Sequence, residues 1–178
     1  MIKISLKNVP HKEQHRHAHS LLKELLKKYN IDYNSETVIE KNRYGKPFLA
    51  DYPHIHFNVS HARGIAACIV ESRECGIDCE QVRKYPVNVP KRVFADSELA
   101  MLEAVPETEK ELLFFRLWTL KEAYVKAIGQ GISYPMNKVI FSFENGEVVC
   151  SDKNYEFRQY ILKNGQFVVS TAIYKINS

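Results

Sequence analysis

The chain has 178 residues, 45% of them hydrophobic, so it can bury a core either as one compact unit or as two small, closely packed halves. Its formal charge of +4 is a mild excess with no polybasic block, which argues against nucleic acid or a membrane surface as partner and leaves room for an acidic one. No apolar run approaches the ~20 residues that span a bilayer, and the opening MIKISLKNVPHKEQHRH lacks the apolar core of a secretory signal, so the expected address is the cytoplasm.

Leu21, Leu22, Leu25 and Leu26 recur at helical spacing and predict a helix over residues 13–29, with Asn30 as its stop. RYGKP marks a turn, after which IHFNVS, GIAACIV and CGIDCE read as three strands. From Val89 the pattern is helical again, with Asp96 the expected N-cap of a first helix and a longer one over 107–128. KVIFSF, EVVC, YEFRQYIL and QFVVSTAIYKI close the chain as strands, with Asn145-Gly146 and Asn164-Gly165 as hairpin signals. Helix followed by sheet thus occurs twice. This predicts an α+β fold of two similar halves, residues 1–85 and 86–178, with a ligand cleft between them. Cys68, Cys75, Cys79 and Cys150 include no CxxC pair and are expected to be free thiols.

The stretch LWTLKEAYVKAIGQG carries the first chemical signal. At about 100° per residue, Leu113, Leu117, Leu120, Tyr124 and Ile128 share one helix face, and Phe114, Trp118 and Val125 form a second apolar stripe. Glu122 and Lys126 are left one turn apart in a narrow polar window, near Thr119. They read either as an exposed ion pair or as groups facing a cleft. Lys121 lies off that window, so its ammonium would have to snorkel out past apolar neighbours. Gly129 and Gly131 suit a helix C-terminus closely approached by another chain segment or a ligand.

Strand alternation in CGIDCE sends Asp78 and Glu80 to one face and Ile77 and Cys79 to the other. Two carboxylates ~4 Å apart at an effective dielectric near 20 repel by about 4 kcal/mol, so they are either well solvated at a strand end or bound to a cation. Oxygen-only ligands, with Glu122 as a third, would suit Mg²⁺ or Mn²⁺. FNVSHARG places Ser60 and His61 at a strand end, where hydroxyl, imidazole and loop amides can bind an anion or simply form a turn. His15 and His19 have the spacing of a metal-binding pair but no clear third ligand, and read as a solvated helix face.

Taken in order, GKP, FNVSH, GIDCE, FADSE and WTLKEAYVKAIGQG resemble the 4′-phosphopantetheinyl transferases of the surfactin-synthetase-activating type, over residues 43–133. The resemblance implies a monomer with pseudo-twofold α+β halves and coenzyme A in the cleft between them. It implies transfer of the phosphopantetheine arm to a serine of an apo acyl or peptidyl carrier protein, a holo-[acyl-carrier-protein] synthase type of reaction, with release of adenosine 3′,5′-bisphosphate. By the same resemblance Asp78, Glu80 and Glu122 hold Mg²⁺, with Mn²⁺ as alternative, and Glu122 or a metal-bound water takes the serine proton. Lys126 and Lys121 contact phosphates, Ser60 and His61 bind the 3′-phosphoadenosine end, and Lys46 contacts the nucleotide. Glu98 matches a family acid acting as a base or as an outer-shell group. Arg16 and His19 both match a nucleotide-contacting arginine, and Arg63 in SHARG departs from the family pattern. Loss of turnover with retention of coenzyme A or nucleotide binding is the alternative function; a metal-dependent phosphodiesterase is a third.

Overall fold

The computed structural model describes residues 1–176; the last two residues of the expected second half lie outside the described residues. Two three-stranded antiparallel sheets are wired alike. In the first, β5 (Ile65–Glu71) lies between β1 (Ile2–Ser5) and β4 (His56–Ala62). In the second, β10 (Phe167–Tyr174) lies between β6 (Cys75–Gln81) and β9 (Tyr155–Leu162). In each half, helix and hairpin separate the first strand from the last two. The first half inserts α1 (His11–Leu26) and the hairpin β2 (Ile39–Lys41) and β3 (Pro47–Leu49). The second inserts α2 (Pro90–Val93), α3 (Asp96–Ala104), α4 (Glu107–Ile128) and the hairpin β7 (Phe141–Glu144) and β8 (Glu147–Cys150).

The α+β class and the two similar halves are as expected. The boundary is not. β6 pairs with β10 from Cys75↔Ile173 to Gln81↔Phe167, so it opens the second half, and the division falls at residues 72–74 rather than 85/86. Local pattern is blind to this, because CGIDCE follows GIAACIV as closely as a hairpin partner would. The short β1, β2 and β3 were also unforeseen: strands of three or four residues carry too little alternation to register unless an Asn-Gly turn marks them, as it does β7 and β8.

Three apolar clusters fill the molecule. Leu21, Leu22, Leu25 and Leu26 of α1 pack on Phe57, Ala66, Cys68 and Val70, covering one face of the first sheet. Leu113, Leu117, Leu120 and Tyr124 of α4 pack with Phe141, Val168 and Ala172 over the second. Between the sheets, Ile65, Ala67 and Ile69 meet Cys75, Ile77 and Cys79. All four cysteines are buried free thiols, as expected.

Helix ends follow local rules with one shift. Asn30, at φ 59°, closes the single 3₁₀ turn after α1. Gly129, at φ 68°, closes α4. Ala95, not Asp96, is the N-cap of α3. Its side chain has no acceptor, and the cap consists of Glu98 reaching back to accept from Ala95 N at 2.7 Å.

Candidate active site

Gly76 lets the site assemble. It shares a strand face with Asp78 and Glu80, and a Cβ at that position would fall on the Ala123 carbonyl oxygen and lie 2.5 Å from Ala127 N. Without a side chain there, the backbone of α4 rests on β6, and Glu122 and Lys126 come down over the two strand acids. Ile77 and Cys79 point the other way into the apolar layer between the sheets, as the alternation predicts. The polar window of α4 therefore faces β6 and β10 rather than bulk water. Thr119, fully buried, continues it by sharing a 2.7 Å hydrogen bond with Ser170, the residue paired with Asp78 across the sheet.

Asp78 is 5% exposed. Its Oδ1 accepts from Lys126 Nζ at 2.6 Å and from Ser60 Oγ at 2.9 Å, while its buried Oδ2 has no partner among the described residues. Lys126 Nζ also approaches Ser60 Oγ and the Ile77 carbonyl oxygen, each at 3.3 Å. Burial works to lower the Lys126 ammonium, but the charge and hydrogen bond of Asp78, helped by Glu122, outweigh it and hold the pKa above the ordinary lysine value. Glu122 is pushed up to about 7, by burial first and then by the Asp78 charge, against the pull of Lys126. Glu80 is raised by burial as well, although Arg83 Nη1 donates to its Oε2 at 2.8 Å. Three carboxylates and one lysine thus share a half-buried patch where α4 meets β6.

Other residues singled out from the sequence lie elsewhere. Lys121 does not snorkel. It is fully buried with its three donors spent on Glu98 Oε2 at 2.7 Å, Val139 O at 2.6 Å and Met136 O at 2.9 Å. Glu98 is equally buried and accepts from Ala95 N and Phe141 N besides. Neither side chain offers an atom to the cleft, so the expected phosphate contact and catalytic acid are instead the two halves of an internal ion pair. Lys46 crosses from the first half to the end of α4, donating to Ala127 O at 2.6 Å and Cys75 O at 3.2 Å, next to Asn42 Nδ2 on Gly129 O at 3.0 Å. It caps that helix, and burial lowers its pKa. Arg16 is 80% exposed and, among the described residues, pairs with Glu13 at 3.5 Å.

His19, the other match for that arginine, is better placed. Its ring lies 4.3 Å from His15, whose ring is 6.2 Å from His61, and His19 Nδ1 bonds Tyr33 Oη at 3.0 Å. Burial first, and then neighbouring imidazoles, hold His19 and His61 below the ordinary histidine value, with Lys126 also acting on His61. His61 opens onto a cavity of about 640 Å³, lined also by His11, Arg63, Glu80 and Arg83. A cavity of this size suits a small organic ligand. It runs from His11 and His61 to Glu80, at the edge of the acid patch.

Comparison with known proteins gives the arrangement a family. The model of the 4′-phosphopantetheinyl transferase superfamily matches residues 74–172, more than half of the chain and almost the whole of the second half as the sheets define it. The chain belongs to that superfamily. It is 38% identical over 140 residues to the 4′-phosphopantetheinyl transferase gsp of Aneurinibacillus migulanus, a match covering 76% of this chain and 58% of the relative. It is 34% identical over 111 residues to the 4′-phosphopantetheinyl transferase Sfp of Bacillus subtilis strain 168, covering 62% and 49%. The matches thus span only about half the length of these relatives. The holo-[acyl-carrier-protein] synthase of Thermotoga maritima aligns at 21% identity over 58% of this chain and 64% of its own with a TM-score of 0.49, too distant to weigh.

The resemblance to this superfamily implies a divalent cation, and the donor set suits one: all its atoms are carboxylate oxygens, and Asp78 Oδ2 is a buried acceptor without a donor. The ligands are not gathered in advance. Among the described residues no three His, Cys, Asp or Glu side chains are poised together around one point, while Lys126 and Arg83 each neutralise one strand acid. Gly76, Asn58 and Arg83 were overlooked in the sequence. A glycine inside a strand does signal close backbone approach, so Gly76 had a readable mark; Asn58 and Arg83 had none.

Proposed function

We propose that the protein transfers the 4′-phosphopantetheine arm of coenzyme A to a serine of an apo acyl or peptidyl carrier protein, releasing adenosine 3′,5′-bisphosphate. The observation that carries this reading is the patch of Asp78, Glu80, Glu122 and Lys126 beside a histidine-lined cavity, in a chain of this superfamily. Asp78, Glu80 and Glu122 would hold Mg²⁺ or Mn²⁺, which when bound neutralises pyrophosphate charge. In the transfer the serine Oγ forms a bond to the β-phosphorus as the bond from that phosphorus to the bridging oxygen breaks, and the electron pair leaves on the 3′-phospho-AMP.

Glu122 suits the proton transfer as the carboxylate that α4 brings to the patch; its rise to about 7 belongs to the metal-free protein, and a bound cation would favour the ionised form that accepts the serine proton. Lys126 supplies a fixed ammonium beside the leaving phosphate. His61, with His19 and His15 behind it, offers donors to the 3′-phosphate end of coenzyme A. The +4 balance would favour encounter with an acidic carrier. No described helix is long and apolar enough to cross a membrane. We further propose a cytoplasmic reaction, carried out by a monomer as the resemblance to this family implies.

Intact mass of an apo carrier protein after incubation with this protein, coenzyme A and Mg²⁺ tests the proposal. A gain of about 340 Da that disappears with EDTA is the expected result. No gain on acyl and peptidyl carriers alike, with coenzyme A still bound, would leave a non-catalytic binder. Release of free phosphopantetheine without any carrier would indicate a phosphodiesterase. Glu122→Gln is expected to abolish transfer while the protein still unfolds cooperatively.

A further inference from the structure

We propose that Ser60 is a positioning residue for Asp78, setting the carboxylate for the cation, rather than a contact to coenzyme A. The inference rests on the reading of Asp78 as a metal ligand. Ser60 is 7% exposed, and its hydroxyl is already committed at every direction a hydroxyl offers. It donates to Asp78 Oδ1 at 2.9 Å, accepts from Cys79 N at 3.2 Å, and meets Lys126 Nζ at 3.3 Å. A hydroxyl so engaged has nothing left for a phosphate in the cavity, where its neighbour His61 is exposed.

The bond to Cys79 N fixes the oxygen against the β6 backbone, and the bond to Oδ1 fixes the carboxylate against that oxygen. With Lys126 on Oδ1 as well, the rotamer of Asp78 is set and Oδ2 is the oxygen left without a donor. Ser60 therefore does for Asp78 what hydrogen-bond partners behind a metal ligand do in general: it orients the ligand and keeps its charge available.

Asn58 supplies an internal control. Two residues earlier on β4, it is equally buried, and its Oδ1 accepts from Ile77 N at 2.9 Å. It ties β4 to β6 in the same way as Ser60, but its hydrogen bond goes to β6 backbone rather than to Asp78. A role that is merely structural would be shared by both residues; a role in setting Asp78 belongs to Ser60 alone.

The test is a titration of the metal-free full chain with Mn²⁺, following the electron paramagnetic resonance signal of the free ion, alongside coenzyme A binding measured in EDTA. Ser60→Ala is expected to weaken Mn²⁺ binding about tenfold or more and to change coenzyme A affinity less than twofold. Ser60→Thr, which keeps the hydroxyl, should restore most of the metal affinity, and Asn58→Ala should lower the thermal midpoint while leaving Mn²⁺ binding at the parent value. If Ser60→Ala does not fold, Ser60→Cys keeps the volume and weakens both hydrogen bonds, with the same direction expected. Retained Mn²⁺ affinity with lost coenzyme A affinity in the Ser60 variants, or equal Mn²⁺ losses at positions 58 and 60, overturns the proposal. Asp78→Asn separates the two levels: Mn²⁺ binding at the parent affinity in that variant refutes Asp78 as ligand, whereas its loss there with none in Ser60→Ala refutes only the positioning role.

Discussion

Lys121 and Glu122 are adjacent in sequence and opposite in setting. Glu122 keeps contact with the cleft and its anion is destabilised by burial and by neighbouring acids, while Lys121 is sealed inside with every donor satisfied. Removing one partner of such a buried pair typically costs about 3 to 5 kcal/mol, and replacing both by apolar groups of similar size recovers much of it. Lys121→Met should therefore lower stability to denaturant by that order, and adding Glu98→Leu should return most of the loss, as chemical unfolding curves would show. A Lys121→Met protein as stable as its parent would contradict the pairing. The helical wheel placed Lys121 off the polar window correctly. It gave no sign of Glu98, because the partner comes from another helix and periodicity describes one element at a time.

At the scale of elements, α4 and β6 make the site together, and the contact hinges on Gly76. Overpacking a tight position costs typically about 1 to 3 kcal/mol, and here the obstructing atoms are helix backbone, which yields poorly. Gly76→Ala is expected to lower the thermal midpoint and, by lifting α4 from the strand, to weaken divalent-ion binding as well; calorimetry and a metal titration on the same variant check both. The elements themselves were largely legible. Residues 107–128 read as one helix because its apolar residues fall on two stripes and its end carries glycine, and the last strands read through their Asn-Gly turns. Legibility stopped at pairing, since the bond between β6 and β10 joins segments far apart in the chain. The same limit applied to the site. Asp78, Glu80, Glu122 and Lys126 lie in one patch without the three acids closing on a single point, whereas Lys46 and Lys121 turn inward to satisfy carbonyl groups that no local pattern reveals.

Across the whole molecule, ionisation couples the site to stability. Glu122 in the unfolded chain has an ordinary value near 4.5, and in the native protein it is raised to about 7. The folded state thus holds its proton more tightly, so the contribution is most favourable below 4.5 and is lost as pH rises through about 7. A shift of this size corresponds to roughly 3 kcal/mol, and in metal-free protein Glu122→Gln should be more stable than its parent at pH 8, with the difference vanishing towards pH 4. Thermal unfolding in EDTA across that range measures it. The thiols report on the whole fold in a different way. Burial pushes Cys68, Cys75 and Cys79 up to about 12 and Cys150 up to about 11, so a thiol reagent at pH 8 should find none of the four in the native protein and all four after denaturation.

Where β4 meets β6, side-chain oxygens of Asn58 and Ser60 take the amide protons of Ile77 and Cys79. Those two amides are therefore clocks for the parting of the halves. Deuterium can reach them only when β4 draws away, while the amides that β6 shares with β10 wait for the second sheet itself to open. Because Asp78 sits between the two clocks and takes its Ser60 hydrogen bond from β4, their exchange reports how often that bond is broken, and anything that bridges both halves across the cleft should slow them in step.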